Sequence, residues 1–286
     1  MALVRDALTN ARARLPAAEA RYLLGHVLAR DTAWLIAHDD AELDAHALRA
    51  FASLVARREA GEPIAYLVGE REFFGHRFQV GTGVLIPRPE TELLVEQAIE
   101  LIRSNYSHGD TAPNYSHGDT APCVLDLGTG SGCIAISLAL ACPAAHVTAV
   151  DASSAALTQA RSNAQTLGAQ VELMCSDWFG ALAGRRFNLI VSNPPYIALG
   201  DPHLDAGDLR FEPPTALASG ADGLDAIRHI VALAPGHLMP GGALWVEHGY
   251  DQAPAVRALL TAAGFSDVHS RQDLAGIARI SGGVWQ

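Results

Sequence analysis

The chain has 286 residues, a net charge of −11, and 49% apolar against 18% charged residues, the balance of a folded chain large enough for one large and one small domain. An acidic chain makes poor non-specific contact with phosphates, so no nucleic-acid substrate is expected. The chain contains no lysine, which excludes a Walker A loop and Schiff-base or pyridoxal chemistry, both of which need one.

In chain order, Leu3, Ala7, Leu8, Ala11 and Leu15 repeat at helical spacing, as do Leu23, Leu24, Val27 and Leu28, and then Leu48, Phe51, Leu54 and Val55. Residues 1–62 are therefore expected to form a small helical domain, ended by Gly61 and Pro63. Residues 63–89 carry short β-forming runs separated by glycines and predict a hairpin-like linker. From residue 90 to 286 a larger domain is expected. Pro89, Glu90 and Glu92 start a helix that runs to about Arg103. Residues 105–122 repeat Asn-Tyr-Ser-His-Gly-Asp-Thr-Ala-Pro twice, read as an enlarged polar surface loop.

Beyond Cys123, strands are expected at 123–127, 146–150, 171–175, 187–192, 243–247, 266–270 and 276–281. Helices are expected at 132–141, 153–167, 223–234 and 252–263. This alternation predicts a doubly wound α/β domain. Cys123, Cys133, Cys142 and Cys175 form no Cys-x-x-Cys pair and read as buried free thiols in a reducing compartment. The histidines show no metal-binding spacing, so no metal is expected. The N-terminus, Met-Ala-Leu-Val-Arg-Asp, becomes charged early, and no segment is apolar for long enough to cross a bilayer. A cytoplasmic protein with no membrane partner is expected.

Two stretches carry chemistry. The first is Gly128, Thr129, Gly130, Ser131 and Gly132, between a buried strand and a helix. Glycines let backbone approach a ligand, and the helix start favours negative charge. Asp151 closes the next strand, where a carboxylate accepts from ribose hydroxyls. Asp177 can accept from an adenine amine, and Trp178 offers a stacking face or packs in the core. These features suit either a nicotinamide cofactor or S-adenosylmethionine.

The second stretch separates the two. Strand 187–192 stops at Asn193-Pro194-Pro195-Tyr196, where the prolines stiffen an extended exit. The Asn193 amide and the Pro194 carbonyl have no ladder partners there, and Tyr196 adds an aromatic face. Hydride transfer has no need of two such acceptors. Methyl transfer to a planar nitrogen does, because the acceptors hold the NH2 group with its lone pair aimed at the sulfonium methyl.

Together with Pro63-x-x-Tyr66-x-x-Gly69, Ile86 to Glu92, Val124 to Ile136, Ser176 to Phe179, Glu212-Pro213-Pro214-x-Ala216-Leu217 and Glu247-x-Gly249-Tyr250-x-Gln252, the chain resembles the protein-(glutamine-N5) methyltransferases of bacterial release factors, the PrmC/HemK family. The resemblance implies a class I S-adenosylmethionine-dependent methyltransferase fold with a mostly parallel seven-stranded sheet and a helical N-terminal domain that recognises substrate. It implies methyl transfer to the glutamine N5 of the factor's Gly-Gly-Gln motif, leaving S-adenosylhomocysteine. By the same resemblance, Gly128–Gly132, Asp151, Trp178 and Asn193 contact the cofactor. Asn193, Pro194, Pro195 and Tyr196 contact the glutamine, with Asn193, Pro194 and Tyr196 in the catalytic role. The rivals are a glutamine methyltransferase for a ribosomal protein, a DNA adenine N6-methyltransferase, and a binding module that has kept only the fold.

Overall fold

A computed structural model describes residues 2–106 and 121–286. Most of the duplicated nonapeptide lies outside the described residues. The chain divides into two compact units. The first comprises residues up to Glu70 together with Ala206–Phe211, and the second Arg71–Asp205 with Glu212–Gln286.

The first unit starts with β1 (Ala2–Leu3), which pairs antiparallel with β2 (Glu42–Leu43). Its helices are α1 (Val4–Arg12), α2 (Ala17–Leu28), α3 (Thr32–Ala37), α4 (Ala45–Glu59) and α5 (Ile64–Val68). The expected apolar stripes converge, so that Val4, Leu8, Leu23, Leu24, Leu35, Phe51 and Val55 share one core. Asp44 caps α4, its Oδ1 accepting from the Ala47 N–H at 2.7 Å. Arg58 reaches both carboxylate oxygens of Glu19, at 2.8 and 3.1 Å, and also Asp208 Oδ1 at 2.9 Å.

The expected hairpin-like linker is part helix. Ile64–Val68 forms α5, with Pro63 before it and Gly69 in the left-handed region after it (φ 79°). A proline at the start and a glycine just past the end frame a helix. Here that frame overrides the strand preference of Ile, Tyr and Val. The hairpin itself is shorter, β3 (Glu70–Phe73) paired with β4 (His76–Gln79).

The second unit is built on a seven-stranded sheet. Its strands are β5 (Cys123–Leu127), β6 (His146–Asp151), β7 (Glu172–Cys175), β8 (Phe187–Ser192), β9 (Leu238–Glu247), β10 (Ser266–Gln272) and β11 (Ala278–Val284). The spatial order is β10-β11-β9-β8-β5-β6-β7. Strands β9, β8, β5, β6 and β7 run parallel, while β11 is antiparallel to both β9 and β10.

Alternate residues of β5 face opposite sides. Val124 joins a core with α6 (Glu92–Tyr106) and α7 (Cys133–Ala141), to which α8 (Ser154–Leu167) adds Ala164. Leu125 and Leu127 join the opposite core, against α10 (Asp225–Leu233) and α11 (Ala253–Ala262). The short helix α9 (Pro214–Leu217) lies between β8 and α10 in sequence. A sheet covered on both faces explains why these strands read as continuous apolar runs.

Strand β9 begins five residues before the expected Ala243, because Met239-Pro240-Gly241-Gly242 forms an irregularity opposite β8 and conceals the start. The final strand begins at Ala278 rather than residue 276. Gly276 (φ 77°) belongs to a turn in which the Asp273 carboxylate accepts from the Ala275 and Ile277 N–H groups. The cysteines are not all buried: Cys133 and Cys142 are, Cys123 is half-buried and Cys175 is exposed at the end of the edge strand β7. Among the described residues no helix is long and apolar enough to cross a membrane.

Candidate active site

The chain goes from β5 through β6 to β7 on one side and returns to β8 on the other. The carboxyl ends of β5 and β8 therefore flank the switch point of the sheet, where open α/β sheets bind ligands. Leu127 is level with Ser192, which puts the glycine loop and the Asn193 turn side by side. A cleft of about 480 Å³ lies there, lined by the loop (Gly128, Gly130), Asp151, Asp177 and Trp178, Asn193 and Pro195. Val84, Leu85, Thr215 and Ala216 also line it.

The loop is shaped by backbone. The N–H groups of Gly128 and Thr129 both donate to the Val150 carbonyl, at 2.9 and 3.0 Å. Gly128 (φ 73°) has the Trp178 ring 3.7 Å from where a Cβ would lie. Gly130 (φ 55°) would point a Cβ into open space. Asp151 holds the loop from the neighbouring strand: its Oδ2 accepts from the Gly130 N–H at 2.9 Å and its Oδ1 from the Ser153 N–H at 2.8 Å. Each oxygen keeps a further lone pair. Trp178 sits at positive φ (48°), uncommon for a bulky residue. Ser176 stabilises it, donating to the Trp178 carbonyl at 2.7 Å and accepting from the Ala181 N–H at 2.9 Å. Trp178 both packs on the core and lines the cleft.

Three loop residues expected at the ligand turn inward. The Thr129 hydroxyl donates to Asp126 Oδ2 at 2.6 Å. Ser131 is buried, and its hydroxyl has no partner among the described residues. Gly132 packs helix on helix: a Cβ there would lie 2.8 Å from Ile136 Cδ1 and 3.3 Å from Ala160 Cα, at φ 84°. Gly132→Ala is thus expected to cost about 1–3 kcal/mol of stability, checked by denaturant unfolding.

The turn after β8 is clamped from behind. Asn193 donates from Nδ2 to Thr91 Oγ1 at 3.1 Å, which leaves Oδ1 as the free end of the amide at the cleft. Pro194 is buried and does not line the cleft. Tyr196 turns away from it: the hydroxyl donates to Glu247 Oε1 at 3.2 Å, and burial beside that carboxylate pushes its pKa well up. The Tyr196 carbonyl accepts from Gln252 Nε2 at 3.0 Å. Behind the turn, Arg88 pairs with the buried Glu212, which also accepts from the Ile86 N–H at 3.0 Å. Thr91, Glu212, Glu247 and Gln252 all fall in the segments of the family resemblance, yet no local pattern assigns them a role.

Burial pushes the Asp126 and Glu247 carboxyls up to about 7. Folded Glu247 keeps its proton to about pH 7, while an unfolded glutamate releases it near 4.5. The folded state thus binds more protons between these limits, and stability falls as pH rises across them. The melting temperature is expected to drop over that window, and to drop less in Glu247→Gln.

Among the described residues no group of His, Cys, Asp and Glu is placed to hold a metal ion. The cleft does fit an adenosine-bearing cofactor. The loop leaves open space at Gly130, Asp151 presents lone pairs, and an aromatic face stands beside them.

Comparison with known proteins agrees with this architecture. Residues 2–69 match the PrmC N-terminal domain, and residues 115–208 match the methyltransferase small domain. A Thermus thermophilus 16S rRNA N2-G1207 methyltransferase, solved with AdoMet and guanosine, shares the fold at a TM-score of 0.52 and 20% identity, over 76% of this chain and 50% of that one. A Pyrococcus furiosus methyltransferase does so at 0.53 and 17%, over 82% of this chain and 98% of that one. The release factor glutamine methyltransferase of Bordetella pertussis is 55% identical over 99% of both chains. That of Burkholderia pseudomallei is 55% identical over 94% of this chain and 92% of its own. The chain belongs to the release factor glutamine methyltransferase family.

Proposed function

We propose that this chain transfers a methyl group from S-adenosylmethionine to the side-chain amide nitrogen of the glutamine in the Gly-Gly-Gln motif of peptide chain release factors. The observation that carries the reading is the hydrogen bond from Asn193 Nδ2 to Thr91, which turns Oδ1 toward the cleft as an acceptor.

When bound, the cofactor supplies a methyl group on a positively charged sulfur. Gly128 and Gly130 would give it backbone approach, Asp151 would accept from its ribose hydroxyls, and Asp177 and Trp178 would take the adenine. Asn193 Oδ1 would accept one N–H of the target amide at the cleft wall, and the carbonyl of Pro194, a residue buried behind that wall, would accept the other where the amide reaches past it. Neither accepts a hydrogen bond among the described residues. An amide nitrogen shares its lone pair with the carbonyl and is a poor nucleophile. Two acceptors would hold the amide with its lone pair free to face a methyl donor, and both dipoles would favour the positive charge that develops on nitrogen. The proton is lost afterwards to water, so no general base is needed before transfer. The helical domain of residues 1–62 takes the role of docking the factor, and 63–89 links it to the catalytic domain of residues 90–286.

Peptide mass spectrometry of a release factor incubated with the enzyme and S-adenosylmethionine tests this. One added methyl on the Gly-Gly-Gln glutamine is expected. An unmodified glutamine beside a methyl elsewhere would overturn the reading.

A further inference from the structure

Glu247 ends β9, the strand next to β8. It is 2% exposed, and its Oε2 has no hydrogen-bond partner among the described residues. Burying a carboxylate this deeply is costly, and a purely structural position would be served as well by an apolar residue. Its neighbours are the far end of the acceptor turn, Tyr196, and the residue that holds the near end, Thr91. Oε1 accepts from the Tyr196 hydroxyl at 3.2 Å. The Thr91 hydroxyl faces the same carboxylate, and its oxygen accepts from Asn193 Nδ2 at 3.1 Å.

The direction of these bonds follows from charge. An ionised carboxylate only accepts, so Thr91 gives it its single hydroxyl proton. The Thr91 oxygen is then left to accept, and the group of Asn193 that can donate to it is the NH2. A flipped amide would set two acceptors against each other or take the Thr91 proton from the carboxylate. We propose that Glu247 is a positioning residue that acts through Thr91 and Tyr196 to fix both ends of the turn, holding Asn193 Oδ1 toward the target amide. The inference rests on the turn being the methyl-acceptor site argued above.

The groups facing this carboxylate are Thr91 and Glu90 from the turn before α6, Tyr196, and Arg279 from β11, with Cys133 of α7 nearby. Burial and Glu90 raise its pKa; the two hydroxyls and Arg279 lower it. Ionisation near pH 7 therefore switches the chain of bonds on, and wild-type kcat is expected to rise through that region.

The test measures methyl transfer by the full chain, with labelled S-adenosylmethionine and a release factor. Glu247→Gln is expected to lose on the order of 10-fold or more in kcat, to change the cofactor KM little, and to flatten the rise with pH. Thr91→Val is expected to behave alike, and Thr91→Ser, which keeps the hydroxyl, to recover. A second readout needs no turnover: the Asn193 side-chain NH2 resonance, assigned with Asn193→Ala in asparagine-labelled protein. It is expected to titrate near pH 7 in the wild type and not in Glu247→Gln. An unchanged kcat in Glu247→Gln, a Thr91→Ser variant as damaged as Thr91→Val, or an NH2 resonance that ignores pH in the wild type would each overturn the proposal. Should the wild type label no factor, the reaction assigned above fails, and the NH2 titration still decides the role of Glu247.

Discussion

Asn193→Ala is expected to lose on the order of 10²-fold or more in turnover, as other preorganised polar groups do when removed, while still binding cofactor. The effect is large because one side chain supplies both halves of an arrangement. Its Nδ2 is tied to Thr91, and that tie aims Oδ1. Alanine removes the acceptor and also leaves the buried Thr91 oxygen without its donor. Asn193→Asp is the sharper control. It keeps an oxygen at the cleft but loses the NH2, so it sets an acceptor against Thr91 and adds a charge. Single-turnover rates alongside calorimetric cofactor binding separate the two effects. Near-normal turnover in Asn193→Ala would sink catalysis by positioning.

Asp151→Ala acts on the other half of the site. Loss of a charged acceptor for ribose hydroxyls is worth about 1.5–3 kcal/mol, or roughly 10- to 150-fold in cofactor affinity. The carboxylate also accepts from the Gly130 and Ser153 N–H groups, so the loop loses a tie as well. Asp151→Asn keeps one acceptor oxygen and is expected to fall between the two. Calorimetry with S-adenosylhomocysteine reads this directly. A dissociation constant within twofold of the wild type would show that Asp151 serves the loop and not the ligand.

The strands and the glycine loop were legible because their signals are local. Val124 to Leu127 is a buried apolar run broken by glycines, and the prolines after Asn193 stop β8 where the sequence says they should. What escaped local reading lies in long-range contacts. Thr91 precedes α6 and Glu247 ends β9; they face each other only once α6 packs against β9. The pairing of Arg88 with Glu212 has the same origin. Tyr196 was expected to offer its ring to the ligand, but its hydroxyl finds a buried carboxylate behind the turn. Thr129 and Ser131 sit in the right loop, yet strand pleat and helix packing turn them inward. Segment 64–68 misleads for the opposite reason: its residues favour a strand, and its flanking proline and glycine decide for a helix.

The most direct measurement offers three acceptors to the enzyme with labelled S-adenosylmethionine: a purified release factor, the same factor with its Gly-Gly-Gln glutamine changed to alanine, and duplex DNA. Label on the intact factor alone is the expected result, and it identifies the reaction, the target and the reacting atom together. Label on DNA, or equal label on both forms of the factor, would contradict the account.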